Sequence, residues 1–288
     1  MADTTRMEFM EHLDRLRSSI LRVLAYLVVG MAISWNFRTW IMDLLTYPAR
    51  VGAETAGMEE FTFHIFEPVG GIMLMLQVSL LGAIIIGFPF ICIELWSFIR
   101  PALQPREQRA IYILLPSAVV LFAAGIAFCY LVAPRAIGYL LVFNTQLGVK
   151  PEFFLQSYLR FFMRLLVVFG LAFETPLVMM FLARIGVVTA SSLLATWKWA
   201  IVVIAAIAAV VTPTPDPFNM GLVGVPMLLL YFLSVGLTAL AERAAGGISG
   251  RSKPEQSNAA DIGPALEKDH EDPPDDEPSS ADTGGRED

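Results

Sequence analysis

Long runs of apolar residues, each separated from the next by a polar segment, dominate the chain. Six runs approach or exceed the roughly 20 residues that a helix needs to cross the ~30 Å hydrocarbon core of a bilayer. They cover residues 20–41, 70–98, 110–132, 159–185, 197–211 and 220–240. The fifth run is the shortest and would span only about 22 Å as a helix. The pattern predicts an all-α, polytopic membrane protein with six transmembrane helices, of which the fifth is short and the sixth could also be short.

Basic residues flank the first three runs in the arrangement expected for cytoplasmic segments. Seven arginines precede the first run, enter it, or separate the second run from the third: Arg6, Arg15, Arg17, Arg22, Arg100, Arg106 and Arg109. The fourth run opposes this bias, because basic residues also lie before it and at its start: Arg135, Lys150, Arg160 and Arg164. The first helix usually dominates orientation. We therefore predict that both chain termini face the cytoplasm.

Two predicted outer segments, residues 42–69 and 133–158, are too long for tight turns and contain several prolines, Pro48 among them. Segments of this length in a compact protein usually have structure of their own. We expect them to form a structured cap with short helices. Asp216, which ends the sequence Thr-Pro-Thr-Pro-Asp between the fifth and sixth runs, is expected to cap a stiff outer turn.

The composition agrees with a membrane protein, since 56% of the residues are hydrophobic and 16% are charged. The net charge of −7 is concentrated in residues 244–288, which contain twelve acidic and four basic side chains. Such a segment, with few large apolar residues, cannot offset its ordering entropy. We predict a membrane domain over residues 1–243 and a disordered, acidic, cytoplasmic tail over residues 244–288. The nearly neutral remainder lacks the basic surface of a nucleic-acid-binding protein.

Two polar features lie on the predicted cytoplasmic side. Residues 7–22 have the periodicity of an amphipathic helix, which would either anchor the chain at the membrane surface or offer a docking face to a partner segment. Glu107 stands among arginines in the loop after the second run. A carboxylate fixed there could bind a guanidinium group bidentately. The alternative is a solvated neighbour of Arg109 that contributes little energy.

Glu174 lies about midway along the fourth run, between Gly170 and Pro176. A carboxylate at the bilayer centre costs about 2.5 to 3.5 kcal/mol on insertion scales, so it should face the bundle interior or a wet cavity. The proline frees a backbone carbonyl and the glycine thins the helix, which together leave a polar notch for another helix. The alternative role is a structural hydrogen bond within the bundle. Gln77 and the prolines inside other runs are typical of packing and kink positions.

Catalytic and metal chemistry find no support in the sequence. The histidines, His12, His64 and His270, lack the spacing of metal ligands, and neither an HExxH nor a GxSxG motif is present. Cys92 and Cys129 lie inside apolar runs, where cysteine is most often a packing residue. We therefore predict a protein with no enzymatic activity, metal or cofactor.

Several motifs together resemble the TatC family, the large subunit of twin-arginine protein translocases, over residues 8–243. They are His12-Leu-Asp-Arg-Leu-Arg17, Pro48, Phe98-Ile-Arg-Pro-Ala-Leu103 with Glu107, Phe169-Gly-Leu-Ala-Phe-Glu-Thr-Pro176, and Thr212-Pro-Thr-Pro-Asp216. They are similar to the family's HLxELR signature, its first-loop proline, its FxxPAL…E loop, its FGxxFExP segment and its outer TPxD turn. One position departs from the pattern. Arg15 stands where the family usually has Glu, and a cation there would repel a ligand with paired arginines.

The resemblance implies a concave, glove-shaped bundle in the bacterial inner membrane that receives twin-arginine signal peptides of folded cargo and exports the cargo with the proton-motive force. By the same resemblance, the signal peptide would be bound by Glu107, Glu11, Asp14, Arg17, Leu16, Phe98 and Pro101. Glu174, with Gln77 and Pro176, would contact single-span TatA/TatB-type subunits. The receptor would also self-associate, and Pro48 and Asp216 would have structural roles on the periplasmic side.

Three alternatives stay open at this point. A proton-coupled small-solute transporter could use Glu174 as its titrating carboxylate. A divergent TatC paralogue with altered signal specificity would account for Arg15. A purely structural membrane scaffold would use neither Glu107 nor Glu174 for binding.

Overall fold

A computed structural model describes residues 2–58, 61–65, 70–100, 105–146, 153–212 and 217–249. Side chains are described from residue 13 onwards within these ranges, except at 105–107, 109–111, 113, 144–146, 218 and 244–249. The described elements, in chain order, are α1 (Ala2–Asn36), α2 (Arg38–Thr55), β1 (Phe63–His64), α3 (Gly70–Ile99), α4 (Pro105–Gln146), β2 (Phe153–Phe154), α5 (Leu155–Phe173), α6 (Thr175–Arg184), α7 (Ala190–Ala195), α8 (Trp197–Val211) and α9 (Pro217–Ser249). The all-α prediction is confirmed, since the two strands have two residues each.

Five helical stretches among the described residues are long and apolar enough to cross a bilayer. They are Leu13–Asn36, Gly70–Ile99, Leu114–Phe143, Leu155–Arg184 and Asn219–Arg243. The predicted fifth span forms α8 with the predicted bounds, but this helix has only 15 residues. The prediction of a multi-span membrane protein with a short fifth helix is confirmed, whereas the count of six spans is not. The sixth helix is not short, because α9 has 33 residues.

The first helix ends earlier than its apolar run predicts. Helix α1 continues from the amphipathic segment into the membrane span without a break and ends at Asn36, and α2 begins at Arg38. At the junction, Arg38 Nη1 donates a hydrogen bond of 2.8 Å to the Trp35 carbonyl oxygen, and its guanidinium lies 5.0 Å from the Trp35 ring centroid. A cationic side chain that bonds a C-terminal carbonyl stabilises a helix end. The chain therefore turns at Phe37 without a glycine or a proline.

Pro48 lies inside α2 with its side chain fully buried. A proline inside a helix has no N–H for the carbonyl four residues earlier. That carbonyl belongs to Leu44, and the Tyr130 hydroxyl of α4 donates a hydrogen bond of 3.0 Å to it. The Tyr158 hydroxyl of α5 donates to the next carbonyl, that of Leu45, at 2.9 Å. Pro48 therefore directs α2 against α4 and α5.

Glycines allow three pairs of neighbouring helices to approach closely. Where α1 meets α3, a Cβ added at Gly30 would lie 3.1 Å from the α3 backbone. Where α2 meets α4, a Cβ added at Gly52 would lie 2.9 Å from the Pro134 carbonyl oxygen. Helices α4 and α5 meet at Gly125, where an added Cβ would overlap the Phe169 carbonyl. A larger side chain at any of these crossings would push two helices apart.

The predicted cap is built differently in its two halves. After α2, strand β1 pairs in parallel with β2, so that Phe63 lies opposite Phe153. The rings of Phe61, Phe63 and Phe153 pack against one another at 4.8 to 6.5 Å between centroids. Helix α4 continues to Gln146, so residues 133–146 extend a membrane helix and do not form the separate short helix that we expected. Proline at position 134 does not end the helix.

The predicted fourth span is interrupted at Glu174, which separates α5 from α6. Pro176 has no N–H, so it cannot continue the ladder of helical hydrogen bonds. Just before it, the Glu174 N–H bonds the Leu171 carbonyl oxygen at 3.1 Å, three residues back and not four. The helix resumes at once, since the Val178 N–H bonds the Glu174 carbonyl oxygen at 2.9 Å. The two helices still form one apolar stretch, Leu155–Arg184.

The short helix α7 is attached to α9. Its first backbone N–H, that of Ala190, donates a hydrogen bond of 2.8 Å to Glu242 Oε1. The Tyr231 hydroxyl donates to the Leu193 carbonyl oxygen at 2.6 Å. Thr189 and Ser192 form a reciprocal capping box at the start of α7. The connection between α6 and α8 is therefore fixed to the middle and the last third of α9.

Candidate functional site

Helices α1 and α3 lie side by side in antiparallel register, and this pair positions the candidate site. Arg22 of α1 contacts Glu94 of α3, and the rings of Tyr26 and Phe90 lie 5.4 Å apart. Further along, Ser34 lies beside Gly82. A four-residue step along α1 thus matches a four-residue step back along α3, as expected for antiparallel helices in contact. Continued outward, this register brings residues 16–18 of α1 level with residues 98–100 at the end of α3.

A polar cluster of Arg22, Glu94, Tyr26, Ser18 and Ser19 joins α1 to α3 near this end. Arg22 Nε donates a hydrogen bond of 2.8 Å to Glu94 Oε1, and the Tyr26 hydroxyl donates to the same oxygen at 3.2 Å. The two remaining guanidinium nitrogens lie 3.1 Å from the hydroxyls of Ser18 and Ser19. Glu94 is buried, while the Arg22 side chain is about half exposed at 49%. The buried carboxylate is thereby neutralised by a cation that reaches it from the more exposed helix.

The other carboxylate oxygen of Glu94, Oε2, is buried and has no hydrogen-bond partner among the described residues. A buried, unpaired carboxylate oxygen is costly in an apolar environment. The cluster therefore has one unused acceptor near the end of α3 that carries Phe98. This acceptor belongs to the α1–α3 junction and lies four residues before Phe98.

The residues predicted to bind a signal peptide are only partly described. Asp14, Leu16 and Arg17 are exposed on the first turns of the α1 span, and Phe98 is half-buried at the end of α3. The backbone positions of Glu11 and Glu107 lie in α1 and α4, but their side chains are outside the described residues, and so is all of Pro101. The structure therefore brings the α1 part of the predicted set to the same end as Phe98.

A side-chain contact joins the residue that follows α3 to the first turn of α4, next to Glu107. Arg100 Nε donates a hydrogen bond of 3.3 Å to Gln108 Oε1, and Gln108 Nε2 lies 3.5 Å from the Arg100 carbonyl oxygen. Both residues are outside the buried core. The contact links the end of α3 to the first turn of α4. It holds the backbone next to Glu107 close to Arg100, just beyond the end of α3.

Glu174, the predicted intramembrane carboxylate, is half-buried, and its Oε1 is buried without a hydrogen-bond partner among the described residues. It lies near the Phe122 backbone and the Cys92 thiol. Pro176, two residues on, is buried. The surroundings are apolar and include the stacked rings of Phe88 and Phe122, 3.6 Å apart. The helix break thus presents a polar atom that its own chain does not satisfy.

Gln77, which we grouped with Glu174, lies elsewhere. Gln77 is half-buried in the first third of α3. Glu174 lies near Cys92, and Cys92 is fifteen residues after Gln77 on α3. Fifteen helical residues correspond to about 22 Å. The two polar groups therefore do not form one site. Of the residues with predicted structural roles, Pro48 is buried in α2, and Asp216 lies outside the described residues.

Sequence reasoning missed Glu94 and its pairing with Arg22. A signal was present, because Glu94 is the one charged residue in the run 70–98 and intramembrane ionisable groups are rarely accidental. Its partner could not be read from the sequence, because 72 residues separate the two side chains. Arg22 was counted only as a marker of orientation.

Comparison with known proteins identifies the class of molecule that this arrangement defines. The chain is a multi-pass inner-membrane protein whose residues 11–226 match the model of the family described as "Sec-independent protein translocase protein (TatC)". The chain therefore belongs to the TatC family of protein translocase components. Members of this family are not enzymes, and membership does not favour the small-solute transporter.

Curated relatives carry the same description. The TatC protein of Aquifex aeolicus is 33% identical over 239 residues, which is 82% of this chain and 97% of that protein. That of Xylanimonas cellulosilytica is 34% identical over 240 residues, covering 83% and 86% of the two chains. That of Koribacter versatilis is 31% identical over 235 residues, covering 81% and 86%.

Two solved structures have the same fold. A crystal structure described as that of the twin-arginine translocase receptor TatC superimposes with a TM-score of 0.73 at 32% identity, covering 81% of this chain and all of that one. A second, described as the same receptor in the detergent DDM, gives a TM-score of 0.70 at 31% identity, with 79% and 99% covered. Both similarities lie well within the range in which the fold is shared across most of the chain.

Proposed function

We propose that this chain is the signal-peptide receptor of a twin-arginine translocase and binds the paired arginines of a folded cargo's signal at the junction of α1 with the α3–α4 loop. The observation that supports the proposal is the antiparallel α1–α3 register, with its Arg22–Glu94 pair, because Leu16 and Arg17 then belong to the same end of this helix pair as Phe98. Glu107 follows in the adjoining helix. A dicationic ligand needs carboxylates, and this end of the molecule contains several.

The proposed roles follow from the chemistry of each side chain. Glu107 and Glu11 supply carboxylates for guanidinium groups, which prefer planar, bidentate partners. Asp14 is exposed and adds a third negative charge, while Leu16 and Phe98 offer apolar surface to the signal's hydrophobic segment. Arg17 lies exposed on α1 and belongs to the polar part of the proposed site, to which we also assign Pro101. The cargo's apolar segment then inserts along the bundle.

The proposal assigns both chain termini to the cytoplasm, which follows the arginines beside the first two spans. Single-span TatA/TatB-type subunits dock at the break between α5 and α6, where Glu174 Oε1 has no partner among the described residues. A polar side chain of a partner helix would satisfy that atom. Pro176 keeps the break in place. Gln77 lies about 22 Å along α3 from Cys92, the α3 residue near Glu174, and would belong to a separate contact.

The test is export of a folded reporter with a twin-arginine signal, in cells that lack their own large subunit and receive this chain with its cognate single-span partners. Export that is lost when the signal's arginines become lysines supports the proposal. Stable insertion with no export would contradict it and would favour a divergent paralogue, the reading that Arg15 suggests. Transport of a small solute by the chain alone would contradict it as well.

A crosslinking experiment localises the site. Glu107→Lys should reduce crosslinking of a twin-arginine peptide at least tenfold, because it replaces an attractive charge with a repulsive one. Glu54→Lys is the matched control, since Glu54 is an exposed carboxylate in α2. Equal crosslinking in the two variants would place the site elsewhere. Lost membrane insertion in Glu107→Lys would be detected by protease accessibility before crosslinks are compared.

A further inference from the structure

Two arginines on one face of α5 lie inside a membrane span. Arg160 and Arg164 are one helical turn apart, both are exposed, and both belong to the apolar stretch Leu155–Arg184. Counted from Leu155, they lie about 7 and 14 Å into the span. Charged side chains at such depth are costly unless they face a polar cavity or bind an opposite charge. Contact with the hydrocarbon chains of the bilayer would not stabilise two arginines at this depth, so the pair requires a polar or anionic partner.

The described part of the chain does not neutralise this pair. Arg160 Nε donates a hydrogen bond of 3.2 Å to the carbonyl oxygen of Gln156, which is uncharged. Among the described residues, the ion pair is that of Arg22 with Glu94, and neither α5 arginine takes part in one. Like charges at i and i+4 also repel each other by a few tenths of a kcal/mol. The pair is therefore a concentrated positive charge that lacks a described counter-ion.

Both arginines line a groove between α3, α5 and α8, and the groove changes character along its length. Near the helix starts it is a cavity of about 400 Å³ of mixed lining, in which Gln77, Gln156, Ser157 and Arg160 lie beside apolar residues such as Met73 and Leu74. It adjoins a second cavity of about 460 Å³, which shares Gln77 and Arg160 with the first. The second cavity has Arg164 on its wall, and most of its lining is apolar, including Leu80, Ile84, Val167, Val168 and Val210.

We propose that this groove binds an anionic phospholipid, with its phosphate held by Arg160 and Arg164. Gln77 donates a further hydrogen bond to the phosphate, and one acyl chain lies in the apolar cavity between α3 and α8. Arginine is suited to phosphate, because its planar guanidinium makes bidentate, charge-assisted hydrogen bonds. The long side chains reach the phosphate by extending toward the helix starts.

The order of groups along the groove favours a lipid over a transmembrane helix. Polar groups make up half of the lining at the end where α3 and α5 begin, and they give way to mostly apolar lining toward the middle of the spans. A phospholipid has the same order, with a phosphate at the membrane surface and hydrocarbon toward its centre. A partner helix is apolar over most of its length and would leave the polar cavity unmatched. The inference stands independently of the proposed function, because it concerns the chain alone.

The test is lipid retention by the purified full-length chain, measured by native mass spectrometry in detergent. Phosphatidylglycerol and phosphatidylcholine with identical acyl chains are added at equal concentration. The expected result is a preference for phosphatidylglycerol that falls at least tenfold in the double variant Arg160→Gln/Arg164→Gln. Arg184→Gln, which removes an exposed arginine from the other end of the same stretch, should retain the preference. Arg160→Lys/Arg164→Lys should retain most of it.

Three results would overturn the proposal. One is equal phosphatidylglycerol retention by the wild type and the double Gln variant. Another is complete displacement of the lipid by inorganic phosphate, which would indicate a small-anion site. The third is that the groove shows no preference for phosphatidylglycerol when lipid is offered alone, but binds a single-span peptide that carries an acidic residue. If the double variant does not fold, the single variants Arg164→Gln and Arg164→Lys are compared. They differ in the charge at position 164, so equal phosphatidylglycerol retention by the two would also overturn the proposal.

Discussion

Arg22 Nε lies 2.8 Å from Glu94 Oε1, and this ion pair joins the first membrane-spanning helix, α1, to the second, α3. The Tyr26 hydroxyl shares the same carboxylate oxygen. Because Glu94 is buried and its other oxygen lacks a described partner, the guanidinium is its main compensation. The contact therefore fixes the α1–α3 register at the end where the proposed ligand binds.

Replacing one member of the Arg22–Glu94 pair should lower the stability of the protein more than replacing both. Arg22→Gln leaves the buried Glu94 carboxylate without a cation, which lowers the thermal midpoint of the detergent-solubilised chain. The double variant Arg22→Gln/Glu94→Gln removes the charge together with its partner and should recover part of the loss. A melting series of the two single variants and the double variant checks this. Simple additivity of the two single losses would show that the residues do not interact.

The α2–α4 crossing should not tolerate a methyl group. In Gly52→Ala the new Cβ would lie 2.9 Å from the Pro134 carbonyl oxygen, so one helix must move. We expect a loss of about 1–3 kcal/mol, as for other overpacked positions. Gly71→Ala in α3 is the matched control, because a Cβ there meets nothing within 4 Å. Similar thermal midpoints for both variants would contradict the close crossing.

The Tyr130 hydroxyl should matter because of Pro48. Tyr130→Phe leaves the Leu44 carbonyl without its donor and should cost about 1 kcal/mol. In a Pro48→Ala background the residue at 48 regains a backbone N–H that can bond this carbonyl, so the same substitution should cost less. Tyr112→Phe, at a side chain that is 74% exposed, serves as the control. Equal costs in the two backgrounds would refute the compensation.

Glu174→Gln should separate partner docking from folding. The amide has the shape of the carboxylate and needs no ionised form at this depth, so insertion and the thermal midpoint should be nearly unchanged. If the partner helix donates a hydrogen bond to the buried Oε1, site-specific crosslinking to a single-span subunit should fall several-fold. The control is Glu242→Gln, which affects the α7–α9 contact instead. Unchanged crosslinking in Glu174→Gln would assign the residue a structural role.

Arg15→Glu tests the departure from the family's N-terminal signature. Reversal of this charge on the exposed start of α1 should strengthen binding of a twin-arginine peptide a few-fold at low salt, and the gain should shrink as ionic strength rises. A peptide with both arginines replaced by lysine is the control ligand. A loss of binding in Arg15→Glu would mean that Arg15 itself contacts the signal.

The sequence located membrane helices well where a run was bounded by polar residues. The run 70–98 became Gly70–Ile99, and the run 197–211 became Trp197–Val211. It failed where a boundary depends on side chains in space. The break at Phe37 follows from the contacts of Arg38 with Trp35, and α4 continues past Pro134 although a proline in the sequence suggested an end.

Much the same limit applies to the candidate site. Glu107 and Glu174 were found because a carboxylate among arginines and a carboxylate in an apolar run are unusual on their own. The Arg22–Glu94 pair and the groove of Arg160 and Arg164 depend on which helices are neighbours, and local periodicity does not contain that information. Gln77 illustrates the converse, since its polarity was noticed but its neighbours were not foreseen.

The attachment of α7 to α9 has a mechanical consequence. Glu242 and Tyr231 hold the start and middle of α7 through hydrogen bonds of 2.8 and 2.6 Å. If α9 tilts or slides, the connection between α6 and α8 must be dragged along or those bonds must break. A displacement of α9 at Tyr231 and Glu242 is therefore transmitted to the segment that follows α6, so these two parts of the membrane domain move together as long as the bonds hold.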